Sequence, residues 1–210
     1  VLSCVPSACP LPQKKGEEKE SSYYKVLLDR TLFFPEEGGQ ACDSGTVNDC
    51  EVAYVELDGN YIYHYLNTPL EAGTKVTGTI EWDERFSKMQ NHTGEHILSG
   101  LIHRHFGYDN TGFHLGSNEI TLDINGMLSP DDLLMIETKA NEAVFANVTL
   151  YCRYPAPEEL VSMEYRSKLD LTENVRIVTI PGYDDCACCA PHVKMTGEVG
   201  MIKIIKAISY

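Results

Sequence analysis

The apolar residues of this 210-residue chain change period at Trp82, and that change limits the folds open to it. Before Trp82 the pattern is one of short strands, over residues 24–29, 52–57, 61–66 and 76–82. Asp58-Gly59-Asn60, between the second and third of these, is a hairpin signal. Beyond Trp82 the period becomes helical. From Asp83, read as an N-cap, to Gly107, read as a stop, one long helix carries Phe86, Met89, Thr93, Ile97 and Leu101 on one face. A strand is expected over 119–124. Ser129-Pro130-Asp131-Asp132 then opens a second helix, with Leu133, Ile136, Ala140 and Val144 inward. Strands follow over 148–154, 175–180 and 201–209, with a short helix over 157–165. The expected fold class is α+β: a small N-terminal β-barrel over 1–82, then an α/β two-layer domain over 83–210.

Composition removes several function classes. With 43% hydrophobic and 23% charged residues the chain reads as an ordinary globular protein. No apolar run approaches the roughly 20 residues that span a bilayer, so no membrane partner is expected. The start has no basic flank or apolar stretch suited to a signal peptide, which points to the cytoplasm; it also lacks Met, which suggests a piece of a longer sequence. Three of the eight cysteines, Cys186, Cys188 and Cys189, crowd into four positions. Such crowding suits metal binding or catalysis better than separate disulfide bridges. The net charge of -14, from 17 Lys+Arg against 31 Asp+Glu, has the wrong sign for gripping a phosphate backbone. Arg153, Arg166, Lys168, Arg176, Lys194, Lys203 and Lys206 offer material for a local basic patch, which permits RNA binding without arguing for it.

The chemistry-bearing residues fall in two groups. His92 and His96, four apart on the long helix, project from one face about a turn apart. Far downstream, Asp184-Asp185-Cys186-Ala187-Cys188-Cys189-Ala190-Pro191-His192 places thiols and a third imidazole in a loop after a strand. Two helical histidines with one cysteine and one histidine make a tetrahedral N/S set, for which zinc is the usual metal. The residues alone leave Cys186, Cys188 and Cys189 all open as the sulfur ligand, and Cys186 with Cys189 also reads as a CxxC pair. His92-Thr93-Gly94-Glu95-His96 also reads as H-x-x-E-H, the signature of one metallopeptidase class, with Glu95 as base; that class requires an acidic third ligand. Otherwise Glu95 is a solvated helix residue and only a weak catalytic candidate. His114 suits a buried structural role better than a pocket role.

Three stretches together resemble the editing domains of alanyl-tRNA synthetases and their freestanding relatives. They are residues 28–40, containing Thr31-Leu32-Phe33-Phe34-Pro35-Glu36-Glu37-Gly38-Gly39-Gln40; the His92–His96 helix with Ile97-Leu98-Ser99-Gly100; and Cys188-Cys189-Ala190-Pro191-His192-Val193 with Thr196-Gly197-Glu198-Val199-Gly200. Glu37 departs from the family, which commonly has glycine there. Threonyl-tRNA synthetase editing domains share the histidine and cysteine pairs but not the glycine-rich segment. The resemblance implies a barrel packed on a zinc-binding α/β editing domain. It selects Cys188 as the sulfur ligand beside His92, His96 and His192. It implies hydrolysis of the ester joining serine or glycine to tRNA(Ala), with Gly38, Gly39 and Gln40 as a pocket wall; Phe113 and His114 are candidate pocket residues because their segment directly follows the ligand helix. It also implies that 203–210 leads to a C-terminal domain carrying tRNA affinity and dimerisation. A zinc-stabilised module that docks tRNA or a synthetase without turnover is the other reading.

Overall fold

A computed structural model describes residues 1–8, 10, 23–116, 120–167 and 174–208. The polar segment 10–22, which has no periodicity and reads as an exposed loop, lies outside these apart from Pro10, as do Glu119, Lys168, Ser209 and Tyr210. The chain divides into two compact units, Val1–Phe86 and Ser87–Tyr210.

The first unit is a six-stranded antiparallel sheet: β1 (Ser3–Ser7), β2 (Tyr23–Leu27), β3 (Gly45–Val47), β4 (Cys50–Asp58), β5 (Tyr61–Leu66) and β6 (Gly78–Ile80), in the order β1-β2-β5-β4-β3-β6. All six strands, or the residues beside them, pack on one cluster built from Val26, Phe33, Val47, Val52, Val55 and Leu66. The sheet therefore curls around that cluster. Among the described residues no ladder joins β1 to β6, so the closure expected of a barrel is not seen. The hairpin between β4 and β5 turns on Gly59 at φ 61°, a left-handed conformation that favours glycine.

The glycine-rich segment is a tight turn. Glu37 and Gln40 exchange two backbone hydrogen bonds of 3.2 and 3.1 Å, across Gly38 at φ 63° and Gly39 at φ 80°. Two consecutive positive φ values explain why two glycines stand there. The segment leading to this turn is anchored by polar contacts. Phe34 N–H donates to Asp43 Oδ2 at 2.7 Å, Arg85 pairs with Asp43, and Thr31 Oγ1 lies 2.8 Å from Nε2 of the buried His64.

The second unit is built on α1 (Trp82–Phe106), which begins in the first, and α2 (Pro130–Ala146). The helix starts one residue before the expected cap, because Arg85 N–H already donates to Glu81 O at 3.0 Å. Asp83 instead stands in the first turn, where its charge suits the helix dipole. Gly107 at φ 69° ends the helix as expected. On α2, Ser129 and Asp132 form the expected capping box, a cap that contributes about 1 kcal/mol.

Two sheets complete this unit: the hairpin β7 (Asn110–Leu115) with β8 (Ile120–Ile124), and the antiparallel sheet β11-β10-β9 from β9 (Tyr151–Arg153), β10 (Ile177–Ile180) and β11 (Asp184–Ala187). The helix expected over 157–165 is a single turn, α3 (Pro157–Leu160). The core joins Ile97, Leu101 and Ile102 of α1, Ile136, Ala140, Ala143 and Val144 of α2, and Val178 and Ile180 of β10. Each fully buried Ile or Val here contributes about 1.5–3 kcal/mol. Phe86 and Met89 are only half-buried, so the inward stripe of α1 begins later than its spacing suggests.

Two expected strands are shorter or absent for a visible reason. Residues 148–150 bond to the segment 194–196, through Leu150 N–H to Lys194 O and Thr196 N–H to Val148 O, which leaves only Tyr151–Arg153 to β10. The described part of 201–209 is not a strand. Side chains of α2 take its backbone bonds: Asn141 with Ile202 at 3.0 and 2.7 Å, and Glu137 with Ile204 N–H at 2.6 Å.

Candidate metal centre

His92, His96, Cys188 and His192 meet in the second unit, with one donor atom from each lying within 4.8 Å of the others. The helix contributes the first two. The downstream pair sits in the loop after β11, which Arg176 holds by donating from Nη1 to the carbonyls of Cys188 at 2.8 Å and Ala190 at 2.9 Å. Cys188 Sγ lies 3.6 Å from His92 Nε2 and 3.4 Å from His192 Nε2. A zinc tetrahedron with nitrogen and sulfur ligands has edges of about 3.4–3.6 Å, given its usual bond lengths. With two edges of this length and all four donors within 4.8 Å of one another, the three imidazoles and the thiol fit zinc in donor chemistry and in size.

The residues behind these four fix their orientation. Thr93 Oγ1 lies 3.0 Å from His192 Nδ1 and accepts from Val193 N–H at 3.3 Å, so the ring turns Nε2 toward Cys188. His96 Nδ1 lies 3.0 Å from Asp184 Oδ2, an ion-pair contact out of line for a straight hydrogen bond. Arg166 grips both oxygens of Asp184, at 2.7 and 2.8 Å. Gly100 lets α1 approach this carboxylate, for a Cβ there would overlap the Tyr183 carbonyl and come within 2.7 Å of Asp184 Cβ.

Burial opposes charge on Asp184, but His96 and Arg166 outweigh it and hold the carboxyl below its usual range. Burial likewise opposes charge on His96, yet Asp184, Cys188 and Glu95 outweigh it and raise that imidazole well above its ordinary value. His192 is driven well below, by burial and then by the charges of His96, His92 and Arg176. Without metal, His96 therefore carries a proton at neutral pH while His192 is neutral. Zinc must displace that proton, so its affinity should fall as pH falls. Calorimetric titration in buffers of different ionisation enthalpy should find about one proton released from His96, besides that of the thiol. Release of the thiol proton alone at pH 7, with none from His96, would contradict this charge assignment.

The other cysteines are placed differently. Cys186 groups with His96 and Asp184, and burial pushes its thiol up to about 11, which disfavours a thiolate. Cys189 is exposed. None of the seven described cysteines is in a disulfide. The acidic third ligand that the peptidase motif requires is not at the group, because Cys188 and His192 occupy those positions.

Glu95 corrects the expectation of a solvated residue: it is 7% exposed, and its Oε1 accepts from Ser99 Oγ and, at 2.5 Å, from Asn110 Nδ2. Phe113 packs on the His92 ring with centroids 5.1 Å apart. His114, next in the strand, is exposed on the opposite face and is neither buried nor at the metal group. Gly38, Gly39 and Gln40 belong to the first unit. Sequence reading assigned no role to Asp184, Asn110 or Ser99, and it placed Arg166 among surface cations. Only Asp184 gave a signal, by standing inside the ligand-bearing segment.

A family model described as "Threonyl and Alanyl tRNA synthetase second additional domain" matches residues 175–209, and one described as "tRNA synthetases class II (A)" matches residues 11–84. Alanyl-tRNA editing protein Aarsd1 of Bos taurus is 30% identical over 209 residues, covering 98% of this chain and 47% of the relative. AlaX-L of Pyrococcus horikoshii is 33% identical over 198 residues, covering 90% and 49%. AlaX-M of Methanosarcina barkeri is 34% identical over 207 residues, covering 90% of this chain and 85% of the relative. The chain thus spans about half the length of the first two and most of the third. With 34% identity to a relative of which this chain covers 85%, and 30% or more to the other two over at least 90% of its own length, the chain belongs to the alanyl-tRNA editing protein family.

Proposed function

We propose that this chain hydrolyses the ester linking serine or glycine to tRNA(Ala), at a zinc ion held by His92, His96, Cys188 and His192. The observation that carries the reading is the meeting of three imidazoles and one thiol within 4.8 Å of one another, with the thiol at tetrahedral-edge distance from two of the rings, in a chain of the alanyl-tRNA editing family. Zinc bound there supplies polarisation of the ester carbonyl. The chain's own residues do the rest. Thr93 and Asp184 hold His192 and His96 in their ligating orientations, and Arg166 keeps Asp184 ionised. Phe113 shields the His92 side from water. The expected contribution of Gly38, Gly39 and Gln40 to substrate binding rests on the resemblance of their segment alone.

The closed donor set favours one other reading. Four protein ligands complete a tetrahedron, as in structural zinc sites, whereas catalytic sites usually keep a position free. A zinc-stabilised module that docks tRNA or a synthetase without turnover would look the same. The cations of the C-terminal third add little to RNA binding: Arg166 and Arg176 bond internally, Arg153 pairs with Glu159 and Lys203 with Glu137, while Lys194 and Lys206 are exposed.

Incubating the zinc-loaded chain with tRNA(Ala) charged with serine, glycine or alanine separates the two. The hydrolase reading expects release of serine or glycine with alanine retained. Retention of all three leaves the docking module.

A further inference from the structure

We infer that Glu95 and Asn110 form an acceptor-only subsite beside the metal centre that takes the α-ammonium group of the aminoacyl ester. The inference rests on the hydrolase reading above and names how that site would recognise its substrate.

Glu95 lies between the two helical histidines in sequence, yet its side chain is buried. Its two oxygens differ. Oε1 is engaged by the Ser99 hydroxyl and the Asn110 amide. Oε2 receives no donor among the described residues and stands 3.8 Å from His96 Nε2. That nitrogen is the one left for the ligand group, because Nδ1 of the same ring faces Asp184. Once Nε2 is given to a metal it has no proton to donate, and Oε2 is left as a charged acceptor at the edge of the centre.

Asn110 supplies the second acceptor. Its Nδ2 must face Glu95, since a carboxylate only accepts, and this fixes which way the amide points. Its Oδ1 is then buried without a partner in a residue 9% exposed. A buried amide oxygen without a donor costs about 1–3 kcal/mol, so it calls for a donor that arrives from outside. The bulge between Asn110 and Gly112 places Asn110 and Phe113 on one face of β7, both against α1.

One carboxylate oxygen and one amide oxygen together ask for a cationic group with several hydrogens. The substrate carries such a group at the right place: its α-amine is attached to the carbon next to the reacting carbonyl. The other buried carboxylate here, Asp184, is already engaged by Arg166 and His96.

The test uses the zinc-loaded chain and two substrates: tRNA(Ala) charged with serine, and the same tRNA charged with 3-hydroxypropionate, which is serine without its amine. Rates are taken at subsaturating tRNA and divided by the spontaneous rate of each ester. In the unmodified protein, loss of the amine should slow hydrolysis about tenfold to hundredfold, as for a hydrogen bond to a charged group. Glu95→Gln keeps an oxygen toward Ser99 and Asn110 but turns a donor toward the site. It should bring the two substrates within about threefold of each other, through a loss confined to the seryl ester. Zinc content and melting temperature should be unchanged. A substrate ratio near one in the unmodified protein overturns the inference whatever the variant does. So does a variant that keeps the full ratio. Equal slowing of both esters by Glu95→Gln also overturns it, and identifies Glu95 as a base acting on water. If the unmodified protein hydrolyses neither ester, the hydrolase reading fails and takes this inference with it.

Discussion

Cys188→Ala should lose zinc and deacylation together. Cys188 is the one thiol among the four donors and lies closest to two of the imidazoles, at 3.4 and 3.6 Å. Losing even a residue that only supports a ligand weakens a metal site about 10–100-fold, so removing the ligand itself should cost on the order of 100-fold or more. Zinc content after dialysis, and release of serine from tRNA(Ala), are the readouts. Cys186→Ala should keep both, because that thiol is held in its protonated form and lies on the Asp184 side of His96. Equal loss in the two variants would contradict the assignment of Cys188.

Arg166→Met should have the largest effect on stability. Asp184 is 2% exposed at its side chain and Arg166 is 13% exposed, and two hydrogen bonds join them. Removing the guanidinium leaves a buried carboxylate with only His96 as counter-ion, which costs about 3–5 kcal/mol. For a unit of this size the melting temperature should fall by about 10–20 °C. Replacing both partners, Arg166→Met with Asp184→Leu, should recover much of that loss, since an apolar pair of similar volume avoids the unpaired charge. The double variant should still bind zinc more weakly than the unmodified chain, because His96 has lost the carboxylate beside its Nδ1. A single variant that melts unchanged would mean that Asp184 is neutral in the fold.

The parts of this fold that were legible are those where local chemistry decides. The hairpin at Gly59, the helix stop at Gly107 and the capping box at Ser129 each follow from a few neighbouring residues. Three of the four donors that meet are legible for a different reason: His92 and His96 share a helix face and His192 stands in the cysteine-rich segment, whereas spacing leaves Cys186, Cys188 and Cys189 open and only the resemblance of the segment selects Cys188. The strand β11 is hidden in the sequence, because Asp-Asp-Cys-Ala has poor strand propensity and is held by its ladder with β10 and a bridge to Arg166. The strand expected over 201–209 failed in the opposite sense. Its isoleucines favour a strand, but Asn141 and Glu137 satisfy its backbone instead of a ladder. Glu95 looked solvated because three- and four-residue spacing says nothing of a neighbouring hairpin. Asn110 of β7 covers it, and no local pattern places that strand.

Extended fine structure at the zinc absorption edge of the loaded protein decides whether these four side chains make one metal centre. Ligation by His92, His96, His192 and Cys188 gives a shell of three nitrogens at about 2.0–2.1 Å and one sulfur at about 2.3 Å. A shell without sulfur, or one with two or more sulfurs, would contradict it.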